Sequence, residues 1–316
     1  MLKKIIKRVN ISLAIVCVTW ITLHQILTVV EENRYPPLGD LVEVKGKQMH
    51  IYQKGKGKQT IVLLAGLGTP APVVDFSPLM NELSHTYKVV VVEPFGYGWS
   101  DFTEGERSVE NIIGEVRSAL KKADIQGPYI LMPHSVSGIY AMYYANHYPD
   151  EVEAIVGIDP TFPKMLRYFG EAAPTMPIIF RFAAPTGVAR LVVELDDESY
   201  LPITQPGTYS SKELKMIKVK TSIKGYNKNI IMEMNEIERN INKTESLNIP
   251  NKVPVLIFAK NFQKEKNGKS IQSFYEQEIA NQHHHKVVML NGHHYLHWTH
   301  SHEIVDELNL FLKQTN

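Results

Sequence analysis

The sequence predicts an α/β fold built on a mostly parallel β-sheet, with helices that cover both faces of the sheet. Short runs rich in valine, isoleucine and leucine recur along the chain, as in 59–68, 87–98 and 128–135. Helical patterns lie between such runs, and the clearest is 108–125, for which Ser108 is a plausible N-cap. Strands that are apolar throughout, rather than alternating, are typical of parallel sheets buried on both faces.

The amino-terminal segment differs from the rest of the chain. Basic residues within 3–8 precede the uncharged apolar segment 11–30, and Glu31 and Glu32 follow it. About 20 apolar residues in a helix cross the hydrocarbon core of a bilayer, and positive charge before the span favours a cytoplasmic N-terminus. We expect residues 1–35 to be a single-pass membrane anchor and linker in the cell membrane, with the rest of the chain extracytoplasmic. A cleaved signal peptide is the alternative, although no A-x-A-like site follows the apolar segment.

The remaining segments complete an α/β core with one insertion. The pattern of 41–57 predicts a β-hairpin that turns at Gly46. Later predicted elements are strands at 151–160, 253–260 and 286–292 and an amphipathic helix at 302–314. Residues 161–250 interrupt this alternation with helical patches such as KNIIMEMNEIERNI. We therefore divide the chain into the anchor, a core formed by 36–160 and 251–316, and a helical lid insertion at 161–250.

The composition excludes several classes of function. The chain of 316 residues carries 34 Lys and Arg against 33 Asp and Glu, so no excess of positive charge indicates a nucleic-acid partner. Cys17 is the single cysteine, which excludes an internal disulfide and a CxxC metal site. The carboxyl-terminal region is rich in histidine but has no HExxH motif, and no GxxxxGK[ST] motif is present. We expect neither a metal nor a cofactor.

One serine stands at an abrupt change from strand to helix. The strand 128–135 ends in the residues PHS, and VSG then opens a helical run, GIYAMYYANHYPDE. A strained strand-to-helix turn with small residues two before and two after a serine holds its hydroxyl above the strand ends. Here Pro133 and Ser137 occupy those two positions, which predicts Ser135 as a nucleophile. One alternative is that Ser135 only caps the helix. Another is that Ser137 is the nucleophile, although its position relative to the strand end does not fit.

At this point the chain resembles a known family. Residues 127–163 are similar to the elbow region of serine hydrolases of the α/β-hydrolase fold, and AGLGTP, GYGWSD and GHHYLHWTHSHEIVDEL extend the resemblance. It covers about 40–316 apart from the insertion. The resemblance implies the α/β-hydrolase fold and a Ser-His-Asp triad, and it leaves the substrate open. Haloalkane dehalogenase chemistry is excluded, because it needs an aspartate where Ser135 stands.

The resemblance implies a catalytic histidine after the last strand, seven residues before the proline that opens the last helix in the family. Ser301 stands where that proline would be, and counting back gives His294 as the general base. The neighbouring His293 is the alternative. His297 falls on a frequent second histidine, to which we assign a packing or hydrogen-bonding role.

The base also needs a carboxylate that fixes its tautomer and stabilises the imidazolium. The loop after 253–260 has Phe262 and Gln263 at the usual position of this acid, and its nearest carboxylate, Glu265, lies later. The other position known in this fold is the end of the preceding strand, which carries Asp159. We expect Asp159 rather than Glu265 to be the acid; an ordinary turn residue is the alternative for Asp159.

An oxyanion hole needs two backbone N–H donors directed at the developing negative charge. The residue after the nucleophile, Val136, is expected to supply one donor. Leu67 is expected to supply the other, because Gly66 and Gly68 on either side allow the backbone to approach closely.

Together these features predict a membrane-anchored serine hydrolase of the carboxylesterase type. Its substrate would be a small-molecule ester or acyl compound, with an amide as a further possibility. The alternatives are an acyltransferase, a peptidase of the proline-iminopeptidase type, and a hydrolase-like binding module without catalysis. Apolar stretches early in the insertion, TFPKMLRYF and MPIIFRFAAP, favour acyl or aromatic groups.

Overall fold

The computed structural model describes residues 1–196, 198–261 and 268–315. In chain order the strands of this part of the protein are β1 (Asp40–Val44), β2 (Lys47–Lys54), β3 (Thr60–Leu64), β4 (Lys88–Val92), β5 (Tyr129–Pro133), β6 (Val152–Ile158), β7 (Val255–Lys260) and β8 (His285–Leu290). The helices are α1 (Leu2–Arg34), α2 (Pro72–Asp75), α3 (Ser77–Leu83), α4 (Val109–Lys122), α5 (Ser137–His147), α6 (Met165–Phe169), α7 (Val188–Leu195), α8 (Ser211–Lys224), α9 (Lys228–Thr244), α10 (Ile271–Glu278) and α11 (Ser301–Thr315).

A single sheet connects the eight strands in the order β1-β2-β4-β3-β5-β6-β7-β8. β1 and β2 form the predicted hairpin, and β2 pairs antiparallel with β4. From β4 to β8 every neighbouring pair is parallel. The prediction of a mostly parallel sheet is confirmed. Parallel strands end at the same edge, so the segments that follow β3, β5, β6, β7 and β8 meet there.

Helices bury both faces of the sheet. The apolar sides of α4 and α5 pack on one face, where Ile112, Val116 and Ile139 are buried against the strands. On the other face α3 and α11 contribute residues such as Leu79 and Leu308. The first turn of α4 begins as predicted, because the Ser108 side chain accepts a hydrogen bond from the backbone N–H of Asn111.

The segment between β6 and β7 is helical and lies over the carboxyl ends of the strands. It contains α6 to α9, with a short 3₁₀ turn at Ile178–Arg181 and another at Glu198–Tyr200. α9 buries Ile230 and Ile237, which lie about two turns apart on one face.

α1 is long and apolar enough to cross a membrane, with a mean hydropathy of 2.0 over its most apolar part. The helix continues through Arg34, so it takes up almost all of the predicted anchor and linker at 1–35, and Tyr35 is its C-cap. The end of α1 also lies against the rest of the protein. The carbonyl of Tyr35 accepts a hydrogen bond from the Trp99 indole at 2.8 Å, and the Gln25 amide donates to the Pro185 carbonyl at 2.8 Å.

Candidate active site

Ser135 lies on the turn between β5 and α5 with a φ of +54°. A positive φ is uncommon for a residue other than glycine and persists only where its surroundings hold it. The N–H of Ser135 donates to the Ile158 carbonyl at 3.3 Å, and the Ser135 carbonyl accepts from the Thr161 N–H at 2.7 Å. These bonds join the turn to the end of β6 and leave the Ser135 side chain partly exposed.

The loop after β3 passes directly beside this turn. A Cβ atom added at Gly66 would lie 2.8 Å from the His134 ring and 3.1 Å from Ser135 Cβ, so only glycine fits there. The Ser137 hydroxyl donates to the Ala65 carbonyl at 2.5 Å. Ser137 is buried and engaged in this bond, whereas Ser135 is partly exposed at the carboxyl ends of the strands.

Asp159 and His294 meet at the carboxyl ends of the strands. The Nδ1 atom of His294 lies 2.6 Å from Oδ2 of Asp159. The other carboxylate oxygen of Asp159 accepts from the backbone N–H of Lys260 at 3.1 Å. Asp159 has a φ of +42° and its own N–H donates to the Phe258 carbonyl. Backbone groups of β7 therefore orient the carboxylate toward the histidine.

The other residues considered for the base and the acid lie elsewhere. His293 is exposed and stacks on Trp298, with ring centroids 5.4 Å apart. His297 is buried and its Nε2 lies 2.7 Å from Oδ2 of Asp75. Glu265, the competing acid, lies outside the described residues, as do Phe262 and Gln263.

The two backbone donors expected for an oxyanion hole flank the serine. Val136 follows Ser135 at the start of α5, and Leu67 lies in the loop that contacts the turn through Gly66. Within the described residues, no group accepts a hydrogen bond from the N–H of Leu67 or Val136. The next N–H, that of Gly68, donates to the Tyr97 hydroxyl at 3.1 Å.

Known proteins share this architecture. Residues 59–191 match the family model described as alpha/beta hydrolase fold. The chain is 31% identical over 266 residues to the uncharacterized protein YbdG of Bacillus subtilis, an alignment that covers 80% of this chain and 79% of that protein.

The chain belongs to the α/β-hydrolase family.

Solved structures of other proteins share the fold of this α/β-hydrolase. Epoxide hydrolase I of potato (Solanum tuberosum) superposes with a TM-score of 0.67 at 18% identity, over 87% of this chain and 98% of that one. An epoxide hydrolase of Vigna radiata superposes with a TM-score of 0.65 at 17% identity, over 87% and 97% of the two chains. At such identities the likeness shows the fold alone.

Sequence reasoning missed a buried carboxylate in the lid of this α/β-hydrolase. Glu233 of α9 accepts hydrogen bonds from the hydroxyls of Tyr97 at 2.9 Å and Tyr140 at 2.8 Å. Burial raises the pKa of Glu233, and the nearby Arg107 opposes that rise. Because Tyr97 also accepts from Gly68, the lid connects through two hydrogen bonds to the loop beside Ser135. The sequence did contain a signal for this burial, because Glu233 lies on the apolar face of α9 between Ile230 and Ile237.

His134 is a second residue that the sequence did not indicate. Its Nε2 atom lies 3.3 Å from the carbonyl oxygen of His294. Burial lowers the pKa of His134 well below its usual value, and the adjacent His297 and His294 act in the same direction. The imidazole is therefore neutral, and as the donor of this hydrogen bond it carries its proton on Nε2. It thus supports the backbone of the loop that bears His294.

A cavity of about 380 Å³ lies between this edge of the sheet and the lid. Leu67 and Gly68 line it on the side of the serine turn, His293 on the side of the histidine loop, and Tyr200 and Ile230 on the lid. Among the described residues no group of three or more His, Cys, Asp or Glu side chains is arranged to hold a metal ion.

Proposed function

We propose that this α/β-hydrolase is a membrane-anchored serine hydrolase that cleaves ester bonds through an acyl-enzyme. Ser135 is its nucleophile, His294 its general base and Asp159 the acid that orients the base. The observation that carries the proposal is the 2.6 Å contact between Asp159 and His294, at the same sheet edge as a serine with a φ of +54°.

The tautomer of His294 supports its role as the base. A carboxylate oxygen accepts hydrogen bonds, so Nδ1 of the neutral imidazole carries the proton and donates it to Asp159. The lone pair is then on Nε2, the nitrogen that takes the proton from the Ser135 hydroxyl. Asp159 stabilises the imidazolium that forms and does not itself become protonated.

The reaction proceeds in two steps. Ser135 Oγ attacks the ester carbonyl, and the negative charge on the carbonyl oxygen is stabilised by the N–H groups of Leu67 and Val136. One such donor contributes about 3 kcal/mol in hydrolases of known mechanism. The C–O bond to the alcohol breaks, and the imidazolium returns its proton to the departing alcohol. Water then attacks the acyl-enzyme with His294 as base again, which releases the carboxylic acid and regenerates Ser135.

The anchor is α1, with the N-terminus cytoplasmic and the catalytic domain outside the cytoplasm. Supporting this are the basic residues within 3–8, the apolar exposed surface of the helix and the acidic residues that follow 11–30.

A fluorophosphonate probe tests the nucleophile, because it reacts covalently with an activated serine. The full chain in detergent should be labelled at Ser135, as located by mass spectrometry of the labelled peptide. Ser135→Ala should abolish labelling and the turnover of p-nitrophenyl esters. Ser137→Ala is the matched control and should retain labelling, since that hydroxyl donates to the Ala65 carbonyl.

Labelling that survives in Ser135→Ala would refute the assignment of the nucleophile. A folded wild-type chain that neither reacts with the probe nor turns over any ester would instead indicate a binding module. Transfer of the acyl group to an added alcohol or amine in preference to water would reassign the enzyme as an acyltransferase, and faster cleavage of aminoacyl amides than of esters would reassign it as a peptidase.

A further inference from the structure

The beginning of α7 in the lid is tied to the last third of α1. Arg190 is only 4% exposed. Its guanidinium donates to both carboxylate oxygens of Glu31, at 2.8 and 2.5 Å, and through Nε to Nδ1 of His24 at 3.1 Å. Just before α7, a Cβ added at Gly187 would lie within 2.9 Å of the Trp20 indole. The segment 184–190 therefore lies against residues 20–31 of α1.

These contacts fix the depth of the lid relative to a bilayer that α1 crosses. At 1.5 Å per residue, residues 20–30 of α1 rise about 15 Å along the helix axis. That rise is about half of the hydrocarbon core, which is about 30 Å thick. Residues 20–30 form the later half of the apolar segment 11–30, so the lid segment beside them lies at the depth of the outer leaflet.

The lid carries large apolar side chains on this side of the molecule. We use the term lid face for Ile178, Ile179, Phe180, Phe182, Leu191 and Leu195, whose exposed fractions run from 40% for Leu191 to 86% for Leu195. A cluster of this kind is unfavourable in water and marks a surface that meets a partner or a membrane. The lid face lies on both sides of the segment 184–190 in the chain, and that segment contacts α1, so lipid chains around α1 would cover the lid face too.

A cavity connects the lid face with the candidate active site. It has a volume of about 270 Å³. Its lining includes Phe180, Val188 and Val192, which are also partly exposed on the outer surface. Tyr200 and Tyr226 line both this cavity and the one of about 380 Å³ beside Leu67. The two cavities therefore adjoin, and together they lead from the outer surface of the lid to Leu67 and Gly68 in the loop beside the serine turn. We call the 270 Å³ cavity the lid cavity.

We propose that the lid face sits in the outer leaflet of the membrane, and that the acyl chain of a membrane lipid ester enters through the lid cavity to reach Ser135. The location of the lid face requires that α1 crosses the bilayer with its N-terminus in the cytoplasm, whereas the substrate class rests on the proposed function. The lining of the lid cavity is almost wholly aliphatic and aromatic, which suits a hydrocarbon chain and offers little to a charged or sugar group.

The location of the lid face is tested with the full chain in phosphatidylcholine nanodiscs. A fluorophore is attached to Leu195→Cys in a Cys17→Ser background, and Lys56→Cys provides the matched control. Lys56 is exposed and lies before β3, at the opposite edge of the sheet from the lid. We expect nitroxide groups on lipid chains to quench the label at Leu195→Cys, and aqueous iodide to quench the label at Lys56→Cys.

Two outcomes would refute the placement of the lid face in the outer leaflet. Quenching of the Leu195→Cys label by iodide, equal to that at Lys56→Cys, would mean that the lid face is in water. Protection from iodide without quenching by lipid nitroxides would mean that a second copy of the chain covers the lid face.

The substrate class is tested with Val192→Trp, which fills part of the lid cavity, and with Val29→Trp as the same change on the lipid-exposed surface of α1. In the wild type, kcat/KM should rise about fourfold for each methylene of a p-nitrophenyl ester that enters the cavity. Val192→Trp should lower kcat/KM for p-nitrophenyl decanoate by about tenfold or more and leave the acetate ester within about twofold. Val29→Trp should change neither.

Equal losses on the acetate and decanoate esters in Val192→Trp, or no loss on either, would overturn the acyl-chain route while leaving the serine hydrolase intact. Absence of fluorophosphonate labelling in the wild type would instead refute the proposal that the protein is a serine hydrolase. The quenching measurements do not depend on catalysis and would still decide the location of the lid face.

Discussion

Asp159→Asn is the substitution that most directly tests how the base is oriented. Asparagine has nearly the same volume as aspartate and tolerates a positive φ, so it suits the φ of +42° at this position. The Lys260 N–H, 3.1 Å from Oδ1 of Asp159, requires an acceptor, which the amide oxygen of asparagine supplies. The amide nitrogen must then face Nδ1 of His294.

This orientation reverses the tautomer of the base. An amide N–H donates, so Nδ1 of His294 has to accept, and the imidazole proton moves to Nε2. Nε2 is then protonated and has no lone pair with which to accept the proton of Ser135. The equivalent change in another triad lowers kcat by about 10⁴, which corresponds to about 5 kcal/mol of transition-state stabilisation. We expect a loss of the same order here.

The measurement is the turnover of p-nitrophenyl esters and the rate of fluorophosphonate labelling by the full chain in detergent. Both rates should fall in Asp159→Asn, because both need deprotonation of Ser135, while the melting temperature stays close to that of the wild type. Glu265→Gln is the matched control, as it removes the competing carboxylate, and it should leave both rates nearly unchanged.

Wild-type activity in Asp159→Asn together with loss of activity in Glu265→Gln would refute the reasoning. The acid would then belong to the loop after β7, and the 2.6 Å contact of Asp159 with His294 would be structural.

Three further predictions concern the neighbourhood of the site. Gly66→Ala should lower kcat by about tenfold or more, because the added Cβ would lie 3.1 Å from Ser135 Cβ; kinetics that match the wild type would contradict this. Tyr97→Phe leaves the buried Glu233 with one hydrogen-bond donor fewer, so it should lower the free energy of unfolding by about 1–3 kcal/mol in denaturant titrations, whereas an unchanged midpoint would mean that the network contributes nothing. Burial lowers the pKa of Lys220 to about 8; since the unfolded chain binds this proton more tightly, wild-type stability should rise between about pH 8 and pH 10.5. Lys220→Met should make that rise smaller without abolishing it, because burial also lowers the pKa of Lys224 to about 8, and it should raise the melting temperature at pH 7, where the Lys220 shift costs about 3 kcal/mol; a lower melting temperature at pH 7 would refute it.

The sheet was predictable from the sequence because its strands carry a local signal. β3 and β5 are runs of residues buried without exception, and such apolar runs are typical of parallel strands. The same holds for α4, whose cap and apolar spacing lie within 108–125. The turn at Ser135 was also a local pattern, since it depends on the residues directly beside the serine.

The contacts that the sequence did not reveal join residues far apart in the chain. Arg190 of the lid pairs with Glu31 of α1, which lies 159 residues earlier in the chain, so nothing near either residue in the sequence marks the pair. The bond from the Lys260 N–H to Asp159 depends on the pairing of β6 with β7. Every residue has a backbone N–H or carbonyl of the same kind, so the sequence does not indicate which of them will bond to Asp159. The sequence therefore allowed Asp159 to be proposed as the acid, but it did not predict the orientation of the carboxylate.

The parallel order of β5, β6, β7 and β8 also has a consequence for biosynthesis. The strands follow one another in the sheet in the order in which the ribosome makes them, and each adds one part of the candidate site at its end. A nascent chain thus has Ser135 and Asp159 early, but it lacks His294 until β8 joins the open edge of β7. In the proposed arrangement α1 precedes the core in the chain, so the chain would be held at the membrane before the proposed triad is complete. In the proposed mechanism, a truncated product that lost β8 and the loop after it would keep Ser135 but lack the base, so it would not cleave esters.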